Sequence, residues 1–443
     1  MPTAVHSGIV LQIGYSGPGC AAGEFGQRRA GRCSYNPPVN APPGKLVFVN
    51  RFFDPDESAT SLLLTDLARG LADASLRVHV FCSRQLYTNP RACLQRREQL
   101  HGVTIHRLPT TRYGRAGLLG RSIDYATFYA AAFWTLLGQL KRGDVVVSKT
   151  DPPLICIPVA LCARLKGARL VNWQQDVFPE VATILTRPLP RWLDAMLRRL
   201  RDWSMRSAAA NVLIGNRMLE YFAQRGIPRA KLRVIENWAD GDAIAPKPVE
   251  ASALRAQLGL KGKFVVCYSG NLGRAHEFET LVAAADRLRH EPAIVFLIIG
   301  GGARMEPLRR AVEARGLGNF LFLPYQPRAE LKDSLAAADV HLASLLPSLE
   351  GLIMPSKLYA VMAAGRPLIF VGDADGEIAR VLREVECGIT VAVDGAADLV
   401  SAICLLKEQP QVRSGMGARA RECFVSRYAR NRAVERWKAV VLA

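Results

Sequence analysis

Residues 348–367 read Ser-Leu-Glu-Gly-Leu-Ile-Met-Pro-Ser-Lys-Leu-Tyr-Ala-Val-Met-Ala-Ala-Gly-Arg-Pro and follow the apolar run 340–346. Glu350 and Gly351 fall in a predicted loop, and Ser356 is placed to open a helix that has Lys357 in its first turn. Because a helix start offers free amides and the positive end of the dipole, this stretch is suited to face a diphosphate. The same order of strand, loop and helix also occurs in crossovers that bind nothing, so the neighbouring sequence must discriminate.

Two glycine-rich loops follow predicted strands in the same half of the chain. The strand 264–268 leads into Ser269-Gly270-Asn271-Leu272-Gly273-Arg274, and the strand 293–299 leads into Gly300-Gly301-Gly302. Ligands of open parallel sheets bind at the carboxyl ends of the strands, so this half is expected to hold an anionic ligand. The loops match neither the dinucleotide-binding pattern nor the P-loop pattern, which disfavours a dinucleotide-dependent oxidoreductase and a P-loop NTPase.

Apolar strands alternate with helical patterns along two stretches of the chain. This alternation predicts an α/β fold with two parallel-sheet domains that face a central cleft. We expect the first domain over residues 45–240, the second over residues 241–424, and a helix over residues 425–443 that packs back toward the first domain. Residues 1–44 are rich in Gly, Pro, Ala and Arg without periodicity, which predicts a disordered leader or a start assigned too far upstream.

Composition limits the partners and the compartment. The 443 residues carry a formal net charge of +19, which favours nucleic acid, nucleotide phosphates or an anionic membrane surface as partner. The ten cysteines form no CxxC pair and no zinc-type spacing, which indicates free thiols in a reducing compartment. The longest apolar run, 126–137, is shorter than the roughly 20 residues that span a bilayer, so we expect no transmembrane helix.

A basic segment over residues 188–233 contains an amphipathic helical pattern. Its apolar stripe consists of Leu189, Trp192, Leu193, Met196, Leu197, Leu200 and Trp203, and its bases include Arg191, Arg198, Arg199 and Arg201. A basic amphipathic helix is typical of proteins that lie on anionic membranes. The alternative is that the stripe faces the domain core and the arginines are merely solvated.

Several separated motifs carry a family resemblance that extends over residues 45–437. They are Phe52-Phe53-Asp54-Pro55, Lys149-Thr150-Asp151-Pro152-Pro153, Asn172-Trp173-Gln174-Gln175-Asp176-Val177-Phe178-Pro179-Glu180, Tyr268-Ser269-Gly270-Asn271-Leu272-Gly273, Pro355-Ser356-Lys357-Leu358-Tyr359 and Ala363-Ala364-Gly365-Arg366-Pro367. With these motifs the chain resembles the GT-B glycosyltransferases of family 4, in the branch of colanic-acid and O-antigen fucosyl or N-acetylfucosaminyl transferases. The resemblance implies two Rossmann-like domains, an N-terminal one for the acceptor and a C-terminal one for the nucleotide sugar.

The resemblance also implies roles for individual residues in a retaining, metal-independent transfer. Glu350 would contact hydroxyls of the donor sugar, and Arg274 and Lys357 would bind the diphosphate. The remaining donor-binding residues would be Gly270, Asn271, Gly273, Gly301, Tyr325, Gln326, Gly351, Leu352 and Ser356. Acids at strand ends of the N-terminal half could orient the acceptor, or equally serve as helix caps or solvated loop acids; these are Asp54, Glu57, Asp151, Asp176 and Glu180.

Two positions depart from the family pattern. Ala360 stands where the family has its second glutamate. This position therefore lacks the carboxylate that the resemblance would assign to ribose binding. His276 stands where the family commonly has a lysine, which shifts the cationic role toward Arg274 and Lys357.

The predicted function is transfer of a UDP- or GDP-linked sugar to an undecaprenyl-diphosphate-linked acceptor in assembly of exopolysaccharide, capsule or O-antigen. The enzyme would need no cofactor or metal and would lie on the cytoplasmic face of the membrane. A GT-B nucleotide-sugar epimerase is the alternative. A nucleic-acid-binding protein is disfavoured because no nucleic-acid-binding motif accompanies the charge.

Overall fold

The computed structural model describes residues 44–89, 91–113, 117–186 and 188–443. The predicted leader over residues 1–44 lies outside this part of the chain, except for Gly44. The described residues contain two β-sheets with helices packed on them. This arrangement confirms the predicted fold class of two Rossmann-like domains.

The N-terminal domain is built on a sheet whose strands are β1 Leu46–Val49, β2 Val78–Ser83, β3 Arg97–Leu100, β4 Val103–Leu108, β5 Val145–Lys149, β6 Arg169–Trp173, β7 Ala210–Leu213 and β8 Leu232–Val234. Their order is β3-β4-β2-β1-β5-β6-β7-β8. All neighbouring pairs are parallel except β3, which runs antiparallel to β4 at the edge. The central strands are apolar because helices cover both faces of a parallel sheet.

The C-terminal domain is built on a parallel sheet whose strands are β9 Phe264–Asn271, β10 Ile294–Gly301, β11 Phe320–Leu323, β12 Val340–Ser344, β13 Leu368–Val371 and β14 Gly388–Val391. Their order is β11-β10-β9-β12-β13-β14. The chain therefore leaves β9 toward one edge of the sheet and returns to its other side at β12. Such a reversal opens a crevice at the carboxyl ends of the two strands.

The α-helices are α1 Ala59–Asp73, α2 Leu118–Gln139, α3 Cys156–Lys166, α4 Glu180–Leu185, α5 Arg191–Ser207, α6 Asn216–Gln224, α7 Ala253–Gln257, α8 Glu279–Arg287, α9 Met305–Ala314, α10 Leu331–Ala336, α11 Lys357–Ala363, α12 Glu377–Val385, α13 Ala396–Glu408, α14 Pro410–Cys423 and α15 Arg430–Leu442. Helices α1 and α15 share a core with one face of the N-terminal sheet. Helices α2 and α3 share a core with its other face.

The last helix of the chain returns to the first sheet. Trp437 of α15 is fully buried, and its ring centroid lies 4.8 Å from that of Trp173 on β6. Burial of an aromatic side chain of this size provides a large share of the apolar contact that holds α15 in place.

A continuous apolar core also joins the two domains. Met218 and Phe222 of α6 belong to the same buried cluster as Leu349, Tyr359 and Phe424 from the C-terminal part of the chain. Val177 belongs to this cluster too. Because Leu349 directly precedes Glu350, the shared core fixes the start of the loop that was predicted to meet the donor.

Candidate functional site

The predicted donor site lies where β9, β10 and β12 end. Lys357, the first residue of α11, donates a hydrogen bond from Nζ to the carbonyl oxygen of Asn271 over 2.9 Å. A Cβ at Gly270, whose φ is +117°, would lie 3.3 Å from Cε of Lys357. The lysine can therefore lie against the first glycine-rich loop because position 270 has no side chain.

Two basic residues follow the strand ends of the predicted donor site. Burial lowers the pKa of Lys357 to about 7, so a bound anion would favour its charged form. Arg274 is exposed and has no hydrogen bond or ion pair with any described residue. The structure thus brings Arg274 and Lys357 to the two loops that follow β9 and β12.

The second glycine-rich loop lies beside the first. The amide of Leu272 donates to the carbonyl oxygen of Gly301 over 2.7 Å. A Cβ at Gly301 would lie 3.1 Å from the ring of Tyr325. The Tyr325 side chain is 59% exposed, with its hydroxyl 3.5 Å from Oδ1 of Asn271. These residues form an accessible aromatic surface next to the glycine loops. The neighbouring Gln326 donates from its side chain to the carbonyl oxygen of Pro324.

The carboxylate of Glu350 lies at the start of helix α12, to which Glu350 does not itself belong. Its Oε1 accepts a hydrogen bond from the amide of Glu377, the first residue of α12, over 3.0 Å. Burial raises the pKa of Glu350 to about 7. The next residues meet the N-terminal domain, since the carbonyl oxygen of Leu352 accepts from the amide of Val177 over 2.9 Å. Gly351 provides the turn with a φ of +74°.

The remaining donor positions differ in accessibility. Ser356 lies at the N-cap position of α11, and its exposed side chain makes no capping bond there. Gly273 is half-buried, and its carbonyl oxygen accepts from the amide of His276. His276 is buried and donates from Nδ1 to the carbonyl oxygen of Ser344 over 2.6 Å. Burial lowers its pKa to about 4, so this residue is neutral at pH 7 and provides no cation.

Four of the five predicted acceptor residues lie at accessible or half-buried positions. Asp54 pairs with Arg69, with Oδ1 and Nη2 3.4 Å apart, and Glu57 is exposed. Asp151 is half-buried and follows β5, whereas Asp176 is exposed and follows β6. Asp176 lines the same small cavity as Lys149.

Glu180 has a different environment from the other four. It is buried, and its oxygens accept from Nη1 of Arg198 over 2.6 Å and from Nη1 of Arg201 over 2.5 Å. It also accepts from the hydroxyl of Tyr221. These bonds occupy Glu180 in holding α5 to the domain, so its contacts are structural and do not point to an acceptor.

Lys149 is a buried cation to which the sequence had given no role. Its Nζ donates to the carbonyl oxygen of Thr60 over 2.7 Å and lies 3.8 Å from the centre of the Trp173 ring. Burial lowers its pKa well below the usual value. The available signal was a lysine at the end of the apolar strand Val-Val-Val-Ser-Lys, where a solvated base would not be expected.

The described residues offer neither a cluster of metal ligands nor a membrane-spanning helix. No group of three or more His, Cys, Asp or Glu side chains there is placed to hold a metal ion. Likewise, none of the helices in that part of the chain has the length and apolar character needed to cross a membrane.

Comparison with known proteins identifies the class. Residues 62–238 match the family model described as glycosyl transferase 4-like domain, and residues 263–409 match that of glycosyl transferases group 1. The probable glycosyltransferase WbjE of Pseudomonas aeruginosa is 30% identical over 312 residues, 69% of this chain and 76% of WbjE. The putative colanic acid biosynthesis glycosyl transferase WcaI of Escherichia coli K12 is 30% identical over 320 residues, 70% of this chain and 77% of WcaI.

Solved structures share the fold at low sequence identity. HepE of Anabaena in complex with UDP superimposes with a TM-score of 0.69 at 16% identity, covering 90% of this chain and 99% of HepE. A sucrose-phosphate synthase from Thermosynechococcus elongatus gives a TM-score of 0.70 at 18% identity, covering 89% of this chain and 98% of the synthase. The fold and the family models together define a glycosyltransferase. The chain belongs to the GT-B glycosyltransferases of family 4.

Proposed function

We propose that this enzyme is a retaining transferase that moves a sugar from a UDP- or GDP-linked donor to a lipid-linked sugar or oligosaccharide in surface polysaccharide assembly. The observation that carries the proposal is the contact of Lys357 with Asn271, three residues before Arg274, whose exposed side chain pairs with no other described residue. Two cations at a helix start and glycine loops suit a diphosphate. The name of WcaI refers to colanic acid biosynthesis, and HepE was solved with UDP and with UDP-glucose, which supports the same class of substrates.

In the proposed reaction, the bond between the anomeric carbon and the distal phosphate oxygen breaks. A new bond forms between that carbon and the acceptor oxygen on the same face. The acceptor hydroxyl passes its proton to the leaving phosphate, and a nucleoside diphosphate departs. Lys357 and Arg274 stabilise the charge that develops on the diphosphate. No protein nucleophile, cofactor or metal takes part in this scheme.

Other residues of the site position the donor in this proposal. Glu350 accepts hydrogen bonds from sugar hydroxyls with the oxygen that faces away from the α12 amide. Tyr325, with its exposed ring next to Gly301, offers a surface on which the base can stack. Asp54, Glu57, Asp151 and Asp176 are the candidates for orienting the acceptor.

Exposed apolar side chains on the N-terminal domain support a membrane-bound acceptor. They lie on α2 (Leu119, Ile123, Trp134), α3 (Leu161, Leu165) and α5 (Trp192, Met196, Leu200, Trp203). These helices are neighbours, because Cys162 of α3 donates to the carbonyl oxygen of Phe133 on α2 and Ser204 of α5 donates to that of Cys156 on α3. We call these nine side chains the docking face. Patches of this kind on soluble surfaces usually mark interaction sites.

Charge favours an anionic membrane as the partner of the docking face. Arg164, Arg191, Arg199 and Arg206 are exposed on α3 and α5. The acids of the three helices are unavailable, because Asp124 and Asp202 are buried and Asp194 pairs with Arg198. The prediction that Arg198 and Arg201 face headgroups is wrong, since both bind Glu180 and Arg201 is buried. We infer a peripheral location on the cytoplasmic face of the membrane.

A screen of UDP-, GDP- and dTDP-sugars by thermal shift, followed by transfer to a lipid-diphosphate-linked sugar, tests the function. The correct donor at about 100 times its Kd should stabilise the protein by ~2.7 kcal/mol. Transfer with retained anomeric configuration, undiminished by EDTA, is the expected result. Epimerisation of the donor without acceptor would favour the epimerase instead, and absence of any nucleotide-sugar binding would overturn the proposal.

A further inference from the structure

Two carboxylates, Glu350 and Glu377, connect the donor loop to the opposite domain. Glu350 accepts from the amide of Glu377 at the start of α12. Glu377 in turn accepts from the amides of Asn216 over 3.0 Å and Arg217 over 2.8 Å, and from the side-chain amide of Asn216 over 3.2 Å. Asn216 and Arg217 open α6, which belongs to the N-terminal domain. Glu377, at the start of α12, therefore binds Glu350 through its backbone amide and binds the N-terminal domain through its side chain.

Glycines provide the space for both carboxylates. A Cβ at Gly215 would lie 2.8 Å from Cδ of Glu377, and a Cβ at Gly376 would lie 2.3 Å from Oε1 of Glu350. The φ values of Gly215 and Gly376 are −175° and −63°, which any residue can adopt. Space, and not backbone conformation, thus requires glycine at these two positions.

Further contacts place the donor loop against the same part of the N-terminal domain. A Cβ at Gly351 would lie 3.1 Å from the carbonyl oxygen of Arg217. Leu352 accepts from the amide of Val177. Glu377 itself is only 9% exposed. Charge-assisted hydrogen bonds to helix amides are strong and directional when water is excluded.

We propose that Glu377 is a positioning residue for glycosyl transfer, because its cross-domain bonds to α6 hold α12, and with it the Glu350 carboxylate, in register with the acceptor-binding domain. This inference rests on the proposed function, in which Glu350 contacts the donor sugar. Misplacement of a reacting group by ~1 Å can cost ~10²-fold in rate. Donor affinity should change little, because the diphosphate cations Lys357 and Arg274 lie outside this connection.

The test is a comparison of Glu377→Ala with Glu377→Gln. We expect the alanine variant to lose about tenfold or more in kcat, with the Kd for the nucleotide sugar within about threefold of wild type. Glutamine has the same shape and one accepting oxygen, so it should restore part of the rate. Glu384→Ala is the matched control, because Glu384 lies near the end of the same helix, is exposed and pairs with Arg427.

A second variant leaves Glu377 itself intact. Gly215→Ala should displace the Glu377 carboxylate from α6 and reproduce the kcat defect, and it decides the matter if Glu377→Ala does not fold. Normal kcat in Gly215→Ala, or a loss of donor affinity as large as the loss of kcat, would overturn the positioning role. Absence of transfer by the wild-type enzyme would instead overturn the proposed function, so the two failures are distinguishable.

Discussion

Lys357 is a basic residue whose surroundings favour its neutral form more than water does. Burial lowers its pKa to about 7, while its Nζ remains within 2.9 Å of the Asn271 carbonyl oxygen at the start of the crevice. A diphosphate bound at this place would favour the protonated lysine and raise its pKa. Binding of the donor should therefore take up a proton wherever the free lysine is neutral.

This linkage predicts a pH dependence for donor binding. As pH rises above about 7, the Kd for the nucleotide sugar should increase, by up to roughly tenfold per pH unit while one proton is taken up on binding. Calorimetric titrations between about pH 6 and pH 9 measure it. Lys357→Arg, which stays charged throughout, should bind the donor with nearly constant Kd across that range. A wild-type Kd that does not vary with pH would contradict the assignment of Lys357 to the diphosphate.

Arg274 is the second cation of the proposed donor site, and its guanidinium, which has no ion-pair partner among the described residues, predicts a loss of turnover without a loss of fold. Arg274→Ala should lower kcat/KM by ~10²-fold, the scale for removal of one group that stabilises charge in the transition state. The melting temperature should stay unchanged because the side chain is exposed. Arg289→Ala serves as control, since Arg289 lies at the opposite end of the sheet and pairs with Asp286. Equal kcat/KM values for the two variants would exclude Arg274 from the site.

Residue patterns indicated the loops at the strand ends that are proposed to bind the donor, but not the residues that these loops contact in the other domain. Gly270 and Arg274 could be proposed because they follow the apolar strand 264–268, and Lys357 because it follows a loop and opens a predicted helix; their roles toward a donor stay predictions. Glu377 could not, since the amides that it binds are 160 and 161 positions away and belong to backbone that any sequence shares. The structural contacts of Glu180 could not be predicted for a related reason, because a buried ion-pair partner and a cleft-facing acid look alike in a sequence.

At the scale of elements, apolar runs predicted the strands 264–268 and 293–299, which correspond to β9 and β10, but gave no signal for the edge strand β3. Strand β3 has the sequence Arg-Glu-Gln-Leu, and its residues alternate between exposed and half-buried. An antiparallel edge strand needs pairing on one side only, so its sequence lacks the apolar signal of a central strand. The apolar stripe of α5 could be predicted from the sequence. The inward orientation of Arg201 could not, because it depends on hydrogen bonds to Glu180 and Asp202.

Helix α5 provides a prediction about the docking face. Trp192 is 70% exposed and Trp203 is 37% exposed, so neither is a core residue. Changing both to serine should leave the melting temperature near that of wild type and weaken binding to vesicles that contain anionic lipid. Flotation of the protein with such vesicles measures the effect, because aromatic side chains anchor amphipathic helices at the interface.

The control for this experiment is a double serine variant of two exposed side chains elsewhere. Leu405 and Val425 are 37% and 49% exposed and lie in the C-terminal part of the chain. Their replacement should not change vesicle binding. Unfolding of the Trp192 and Trp203 variant would show that these rings support the core after all, and a shift from dimer to monomer without any vesicle effect would make the docking face a contact between copies of the chain.

At the scale of the whole molecule, two sheets with a crevice could be predicted from the alternation of strands and helices. The apolar core that joins Met218 and Phe222 to Tyr359 and Phe424 could not, because each contributing helix reads as an ordinary amphipathic segment. The contact between the two domains depends on which side of each helix stays exposed after that helix has packed in its own domain. That information is three-dimensional and has no local pattern.

The net charge of +19 predicts that salt affects turnover of an acceptor held in an anionic membrane. Basic residues near an anionic surface each contribute ~1 kcal/mol, and salt screens this attraction. Turnover of a lipid-linked acceptor in anionic vesicles should therefore fall by about tenfold or more between about 0.05 M and 0.5 M NaCl. Turnover of a water-soluble acceptor analogue should change much less, because it needs no encounter with a membrane. An equal response of both acceptors to salt would place the effect in the crevice, where Lys357 and Arg274 are proposed to bind the diphosphate, and would contradict a role of the membrane in turnover.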